Sequence, residues 1–285
     1  MYRLLAGALA CASLVHAVDL EDHVRKSIPV DSANRLVLKA DDGALRIQPG
    51  AEKTVEVEVS FRGDPDSRAE FDRLRRNFTL DVTRDGSDIR VTGSFHRGFL
   101  EFGRGLRNVE YRITVPEKLN AEIATSGGPI SVSNLKGKIK ASTSGGPIRI
   151  TETGGDVDAS TSGGPITIER NSARVRARTS GGGIEVREAT GAIDASTSGG
   201  GVNASLSGQP KEECRLDTSG GNINVSLSKN IHVNLDAAAS GGRIWTDFPV
   251  RRDDDSEELR APLNGGGPRL YLRTSGGGIR VRQQP

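Results

Sequence analysis

The chain has 285 residues, 36 of them glycine, and only 4% of its side chains are aromatic. That length suits one large domain or two small ones, and so few rings require an aliphatic core. With 39 basic and 37 acidic residues the charges nearly cancel, which excludes an overall field drawing the protein to nucleic acid or to an anionic membrane.

Met1-Tyr2-Arg3 and the apolar run Leu4–Val15, followed by His16-Ala17, read as a secretory signal cleaved after Ala17. The run is too short to span a bilayer, and no later segment approaches the roughly 18 apolar residues needed. Export to the periplasm or the cell surface is therefore expected. A competing reading makes Ala8-Leu9-Ala10-Cys11 a lipoprotein site. It lacks the usual Leu three residues before the Cys and has little apolar run ahead of it, so it ranks second. Cys214 is then the one mature cysteine, unable to form an internal disulfide, and reads as a half-buried strand residue.

Residues 18–120 show strand alternation at Arg35–Ala40, Ala44–Gln48, Thr54–Phe61, Phe78–Thr83, Ser87–Gly93 and Val109–Val115. Turns fall at Asp41-Asp42-Gly43, Pro49-Gly50 and Arg84-Asp85-Gly86. One helix is predicted at Arg68–Arg76, capped by Asp66 or Ser67, with Phe71 and Leu74 on one face. Most rings, from Phe61 to Tyr111, lie here, and none follows until Trp245, Phe248 and Tyr271. They are expected to close the two ends of whatever lies between. The competing reading is a sugar-stacking platform at Phe95–Phe102.

From residue 121 the text changes. The Ser of each Ser-Gly-Gly recurs as Ser126, Ser144, Ser162, Ser180 and Ser198 at steps of 18, then as Ser219 and Ser240 at steps of 21, and last as Ser275. A period near 20 residues marks a stacked repeat. Within one period Ile139, Ala141 and Thr143 alternate before the corner, and Ile148 and Ile150 after it, which is strand periodicity. Each repeat is thus two short strands joined at a corner. The structural turns are Ser144-Gly145-Gly146, Ser162-Gly163-Gly164, Ser180-Gly181-Gly182 and Ser198-Gly199-Gly200, whose glycines are expected to supply backbone angles that other residues avoid. Stacked about 4.8 Å apart, the repeats give inward columns Ile139/Val157/Val175/Ile193, Ala141/Ala159/Ala177/Ala195 and Ile148/Ile166/Ile184/Val202. The outward column Lys140/Asp158/Arg176/Asp194 alternates in sign, so each charge should meet its opposite on the adjoining strand.

These patterns predict an all-β fold: a β-solenoid of seven or eight coils of about 18 residues, preceded by a β-rich N-terminal cap containing one short helix. The expected divisions are a signal at 1–17, the cap at 18–120, solenoid repeats at 121–245 and C-terminal capping repeats at 246–285. The Thr-Ser-Gly-Gly-Pro-Ile repeats, ending in the stretch from Leu263-Asn264-Gly265 to Ser275-Gly276-Gly277-Gly278-Ile279, resemble exported bacterial proteins grouped as an adhesin domain of unknown function. The likeness covers about residues 30–285. It implies the fold and carries over no catalytic or binding residue.

A search for chemistry finds little. His16, His23, His96 and His232 are isolated, without metal-ligand spacing. The charge run Arg251–Glu258 lacks the glycine of a calcium loop and reads as a solvated loop. Ser133-Asn134-Leu135-Lys136 and Ser226-Leu227-Ser228-Lys229 lack the motifs that accompany a catalytic Ser-x-x-Lys. Short corners leave no walls for a cleft. No catalytic residue, cofactor or metal is therefore expected, and the protein reads as a non-enzyme. The expected function is a binding or scaffold module acting through an extended surface, such as the outward row Arg149, Thr167, Glu185 and Asn203, on a cell-surface glycan or an envelope protein. The alternatives are a polysaccharide-active solenoid enzyme and a purely structural envelope protein.

Overall fold

The computed structural model describes residues 20–63, 68–96, 106–250 and 257–284. The expected signal with Cys11, the helix caps Asp66 and Ser67, the side chain of Leu74, the rings Phe99 and Phe102, and the charges at 251–256 lie outside the described residues.

Residues 20–115 supply β1 (Leu20–Pro29), β2 (Arg35–Ala40), β3 (Ala44–Pro49), β4 (Thr54–Gly63), α1 (Arg68–Arg76), β5 (Phe78–Asp85), β6 (Asp88–Phe95) and β7 (Leu106–Val115). Strands then come in pairs, one pair to a coil. They are β8 (Asn120–Thr125) with β9 (Ile130–Ser133), β10 (Ile139–Thr143) with β11 (Ile148–Thr153), and β12 (Val157–Thr161) with β13 (Ile166–Asn171). Next come β14 (Val175–Thr179) with β15 (Ile184–Ala189), β16 (Ile193–Thr197) with β17 (Val202–Leu206), and β18 (Cys214–Thr218) with β19 (Ile223–Leu227). The chain ends with β20 (Val233–Ala239), β21 (Ile244–Thr246), β22 (Glu258–Leu263), β23 (Arg269–Thr274) and β24 (Ile279–Gln283).

Each coil gives one strand to each of two 12-stranded sheets. Sheet A has the order β1-β4-β7-β3-β9-β11-β13-β15-β17-β19-β24-β21, and sheet B β22-β20-β23-β18-β16-β14-β12-β10-β8-β2-β6-β5. Ten consecutive strands of each sheet pair in parallel, and the antiparallel strands β4 with β1, β5 and β22 are added at the edges. The all-β solenoid is therefore longer than the expected seven or eight coils. The pairs β2–β3 and β6–β7 join the stack although their corners lack Ser-Gly-Gly.

The 18-residue register holds: Ile139 pairs with Val157, Ala141 with Ala159, and Ile148 with Ile166, and so on up the stack. Every member of the three inward columns is at most 2% exposed. Burying such an Ile or Val contributes about 1.5–3 kcal/mol, and the opposed Ala column leaves room for it in a thin interior. Outward, Lys140 pairs with Glu122 at 3.1 Å, Arg176 with Asp194 at 3.2 Å and Lys138 with Asp156 at 3.6 Å. Asp158 stands between Lys140 and Arg176 in the ladder but makes no ion pair within 4.0 Å among the described residues, so the expected alternation is only partly used.

The Thr-Ser-Gly-Gly corner has a specific construction. The buried Thr143 hydroxyl donates to the Gly128 carbonyl one coil earlier at 3.1 Å and accepts from the Gly146 N–H at 3.4 Å. Thr161, Thr179, Thr197, Thr218 and Thr274 repeat the donation at 2.6–3.1 Å, so a column of buried hydroxyls is satisfied by the corner it supports. The corner glycines are not in the left-handed region, contrary to the sequence expectation; the described glycines with positive φ are Gly43, Gly86, Gly265 and Gly266. What requires glycine is close stacking. A Cβ on Gly146, Gly164, Gly182 or Gly200 would collide with the backbone carbonyl of the glycine one coil earlier, whereas one on Gly145 or Gly163 would clear its neighbour by 3.6 or 3.5 Å. At the opposite corner Asn134, Glu152, Arg170 and Glu188 form an 18-residue column with φ of 52–57°, a conformation that costs a non-glycine residue about 1 kcal/mol or more.

The stack departs from chain order at both ends. β6–β7 lies beyond β2–β3 although it comes later in sequence, and β23–β24 is inserted between β18–β19 and β20–β21. At the N-terminal end Phe78 meets Phe61, Phe95 and Tyr111 with ring centroids 4.9, 5.2 and 6.1 Å apart, and Phe71 of α1 is buried. At the other end Phe248 is buried, but Trp245 is 45% exposed and Tyr271 lies half-buried among arginines, so these two rings do not close the core.

Candidate functional site

Strand alternation in sheet A turns two residues per coil outward, and the parallel register aligns them into two rows, of which the first carries the expected site residues. Arg149, Thr167, Glu185 and Asn203 occupy four successive rungs. The row continues to Arg46 through Ser131 on one side, and through Asn224 and Arg280 to Trp245 on the other. Three of the four expected site residues are engaged within the sheet. Arg149 reaches Glu169 at 3.6 Å, and Glu185 reaches Arg187 at 2.6 Å, which also contacts Glu169 at 3.0 Å. Asn203 Oδ1 accepts from Asn224 Nδ2 at 2.9 Å. The turn residues Ser144-Gly145-Gly146, Ser162-Gly163-Gly164, Ser180-Gly181-Gly182 and Ser198-Gly199-Gly200 sit apart from the row, at the corners leading into it, with their serines exposed.

The last two strands of sheet A carry a cluster that sequence reasoning assigned to a cap. Trp245 and Arg280 are paired across β21 and β24, with the guanidinium 5.5 Å from the ring centroid. With Asn222, Asn224, Arg243 and Gly278 they line an open depression of about 330 Å³. The signal that could have found it was the placement of a Trp at an outward position of the alternation, between inward Ile244 and the corner.

Sheet B carries a contrasting cluster. Tyr271 is flanked by the guanidinium groups of Arg215, Arg269 and Arg273 at 4.5, 4.6 and 4.2 Å. Here each cation has an anion: Arg215 pairs with Asp217 at 2.7 Å, and Arg273 with Asp236 at 2.7 Å, while Arg269 also bonds Asp236. Burial alone would raise the pKa of Asp236, but hydrogen bonds from Arg273 and Arg269 and their charges prevail and hold it at about 2. Elsewhere on sheet B, Arg35, Glu122, Lys140, Asp158 and Arg176 border a broader depression of about 530 Å³ with both signs of charge. Cys214 is 1% exposed, more buried than expected, and burial pushes its thiol pKa up, which disfavours the nucleophilic thiolate. Among the described residues no group of three His, Cys, Asp or Glu side chains could hold a metal.

Two mostly parallel sheets wound from short repeated coils and joined by tight corners define a β-solenoid. The chain belongs to the Toastrack DUF4097 family, whose sequence signature matches residues 33–281. A solved "putative adhesin" from Bacteroides fragilis NCTC 9343 shares the fold, with a TM-score of 0.53 at 13% identity over 92% of this chain and 97% of that one. A "putative lipid binding protein" from Parabacteroides distasonis ATCC 8503 matches at 0.46 and 13% identity over 93% and 97%. A "putative cell adhesion protein" from Clostridium sporogenes ATCC 15579 matches at 0.30 and 16% identity over 93% and 100%. No curated protein matches the sequence.

Proposed function

We propose that the protein is an exported, non-catalytic binding module, and that the outer face of sheet A is its binding surface. The observation that carries this is the continuous outward row from Arg46 to Trp245, which offers one polar or aromatic side chain per rung along a face without deep walls. Such a row suits an extended partner, a surface glycan or an envelope protein, held by many weak contacts. Adhesin naming among its structural relatives agrees with this reading. On this proposal the segment 1–17 directs export, the edge strands within residues 18–120 close one end of the stack, and of the strands within residues 246–285 only β22 lies at the other end, at the edge of sheet B. No helix among the described residues is long and apolar enough to cross a membrane.

Glycan arrays and pull-downs from envelope fractions test the reading. Binding without release of product is expected. Deleting residues 157–192 removes two repeats while joining Asp156 to Ile193 in register, so it should leave a folded protein whose affinity falls steeply. Turnover of a bound polysaccharide would refute the non-catalytic assignment.

A further inference from the structure

Arginines in the two sheets are matched almost throughout. Arg149 and Arg187 in sheet A, and Arg176 and Arg178 in sheet B, each lie within 4.0 Å of a carboxylate. Arg280 and Arg282 of β24, and Arg243 just before β21, do not. All three are exposed, and no described carboxylate comes within 4.0 Å of any of them. The molecule as a whole is nearly neutral, so this is a local excess of positive charge at one end of one face.

Trp245 stands inside that excess and is the large apolar side chain that the described residues leave exposed. Its indole lies over Gly278, where an added Cβ would come 3.2 Å from the ring, and Arg280 flanks it. β21 is the last strand of sheet A, so the pleated sheet ends beside the ring. Asn222 Oδ1 accepts from the Gly278 N–H at 2.8 Å, and its Nδ2 has no partner among the described residues. Arg243, Arg280, Trp245 and the asparagines line one depression.

We propose that this patch binds acidic polysaccharide. The proposal rests on the reading of sheet A as the binding face and names its ligand class. An unpaired guanidinium presents a fork that matches a sugar carboxylate or sulfate. The indole covers the apolar C–H face of a pyranose, and the asparagine amides donate to its hydroxyls. The charge distribution favours a polymer charged less densely than a duplex nucleic acid, because the row beyond the patch carries Glu185 and mixed charge that oppose a densely anionic backbone.

Calorimetry on the purified protein tests this, with polygalacturonate as probe, dextran as neutral control, and duplex DNA and phosphatidylglycerol vesicles as competing polyanions. Polygalacturonate should bind and dextran should not. Trp245→Ala and Arg280→Gln should each weaken binding at least about tenfold, and Arg243→Gln with Arg282→Gln should flatten its salt dependence. All these side chains point outward, so melting temperatures should stay at the wild-type value, and Trp245→Phe serves as a second variant that keeps a ring. Absence of polygalacturonate binding, or equal binding by the Trp245→Ala, Arg280→Gln double variant, overturns the proposal. So does equally tight binding of DNA or vesicles with the same dependence on Trp245. If the 157–192 deletion weakens glycan binding and the Trp245 variants do not, the extended-face reading stands and this site falls. Dependence on Trp245 with none on the deleted repeats upholds the site and removes the extended face.

Discussion

From β8–β9 to β18–β19 coils consecutive in sequence are neighbours in the stack, whereas at the N-terminal end the later β6–β7 lies beyond β2–β3 and at the C-terminal end the later β23–β24 is inserted between two earlier coils. In the middle, vertical neighbours lie 18 or 21 residues apart, and stability accumulates coil by coil as in any one-dimensional repeat. At the C-terminal end β23 and β24 bridge two coils that are adjacent in sequence but not in space. Closing those longer loops costs entropy. In return the final segment of the chain is held between two strands in each sheet, and the outermost strand of sheet B is the short antiparallel β22. Edges closed in this way resist end-to-end pairing with another molecule.

The sharpest way to break the comparison is to delete equivalent material from each region. Removing residues 269–285 takes away the coil on which β20 and β21 rest, and should abolish hydrogen-exchange protection across Val233–Ala239 with a large fall in melting temperature. Removing residues 157–192 should shift the melting temperature far less. Equal losses would mean that the C-terminal coils do not depend on the inserted pair.

Within the middle, single substitutions probe the stacking. Gly164→Ala should cost about 3 kcal/mol or more, because its Cβ meets the Gly146 carbonyl, while Gly163→Ala should cost under about 1 kcal/mol. Urea unfolding of the pair decides whether close approach, rather than backbone angle, is what the second glycine serves. Asn171→Ala should follow at about 2–3 kcal/mol. Its buried Nδ2 donates to Thr153 Oγ1 at 2.9 Å and to the Gly155 carbonyl at 3.0 Å, and its Oδ1 accepts from the Ala173 N–H at 3.0 Å.

Acid separates the regions next. Asp236 at the C-terminal end has a folded pKa of about 2, below its ordinary 3.8. A depressed carboxylate pKa stabilises the fold fully above about pH 4, and that contribution is lost as pH falls toward 2. Acid titration should therefore loosen β20, β22 and β23 before the middle coils, and Asp236→Asn should flatten the response. The smallest expected effect is a gain of up to about 1 kcal/mol from Glu188→Gly, which relieves a φ of 52° at a corner whose N–H bond to Ser205 Oγ is retained.

Legibility differed by region for physical reasons. Helix α1 and the strands of residues 35–115 were readable because their alternation or capping is local. β1 was not, since Asp22 and Lys26 share the face of Leu20, Val24 and Ile28 and interrupt the apolar pattern. The four-residue row of sheet A was predicted as an aligned surface. Trp245 was read as a cap because a ring at the end of a repeat array usually packs on the core, although its place beside the inward Ile244 in the alternation turned it outward.

The sequence by itself determined the strand pair, the 18-residue register, the inward Ala, Ile and Val columns and the buried threonines. These follow from alternation along a strand and identity one period away, both of which are short-range patterns. The tertiary structure alone decided the order of coils at the ends and which charges remain unmatched. The alternating pattern of Arg269–Thr274 fits beside β18 or β20 equally well, and its place between them was chosen by contacts distant in sequence. Whether Arg243, Arg280 and Arg282 find carboxylates likewise depends on which strands become their neighbours.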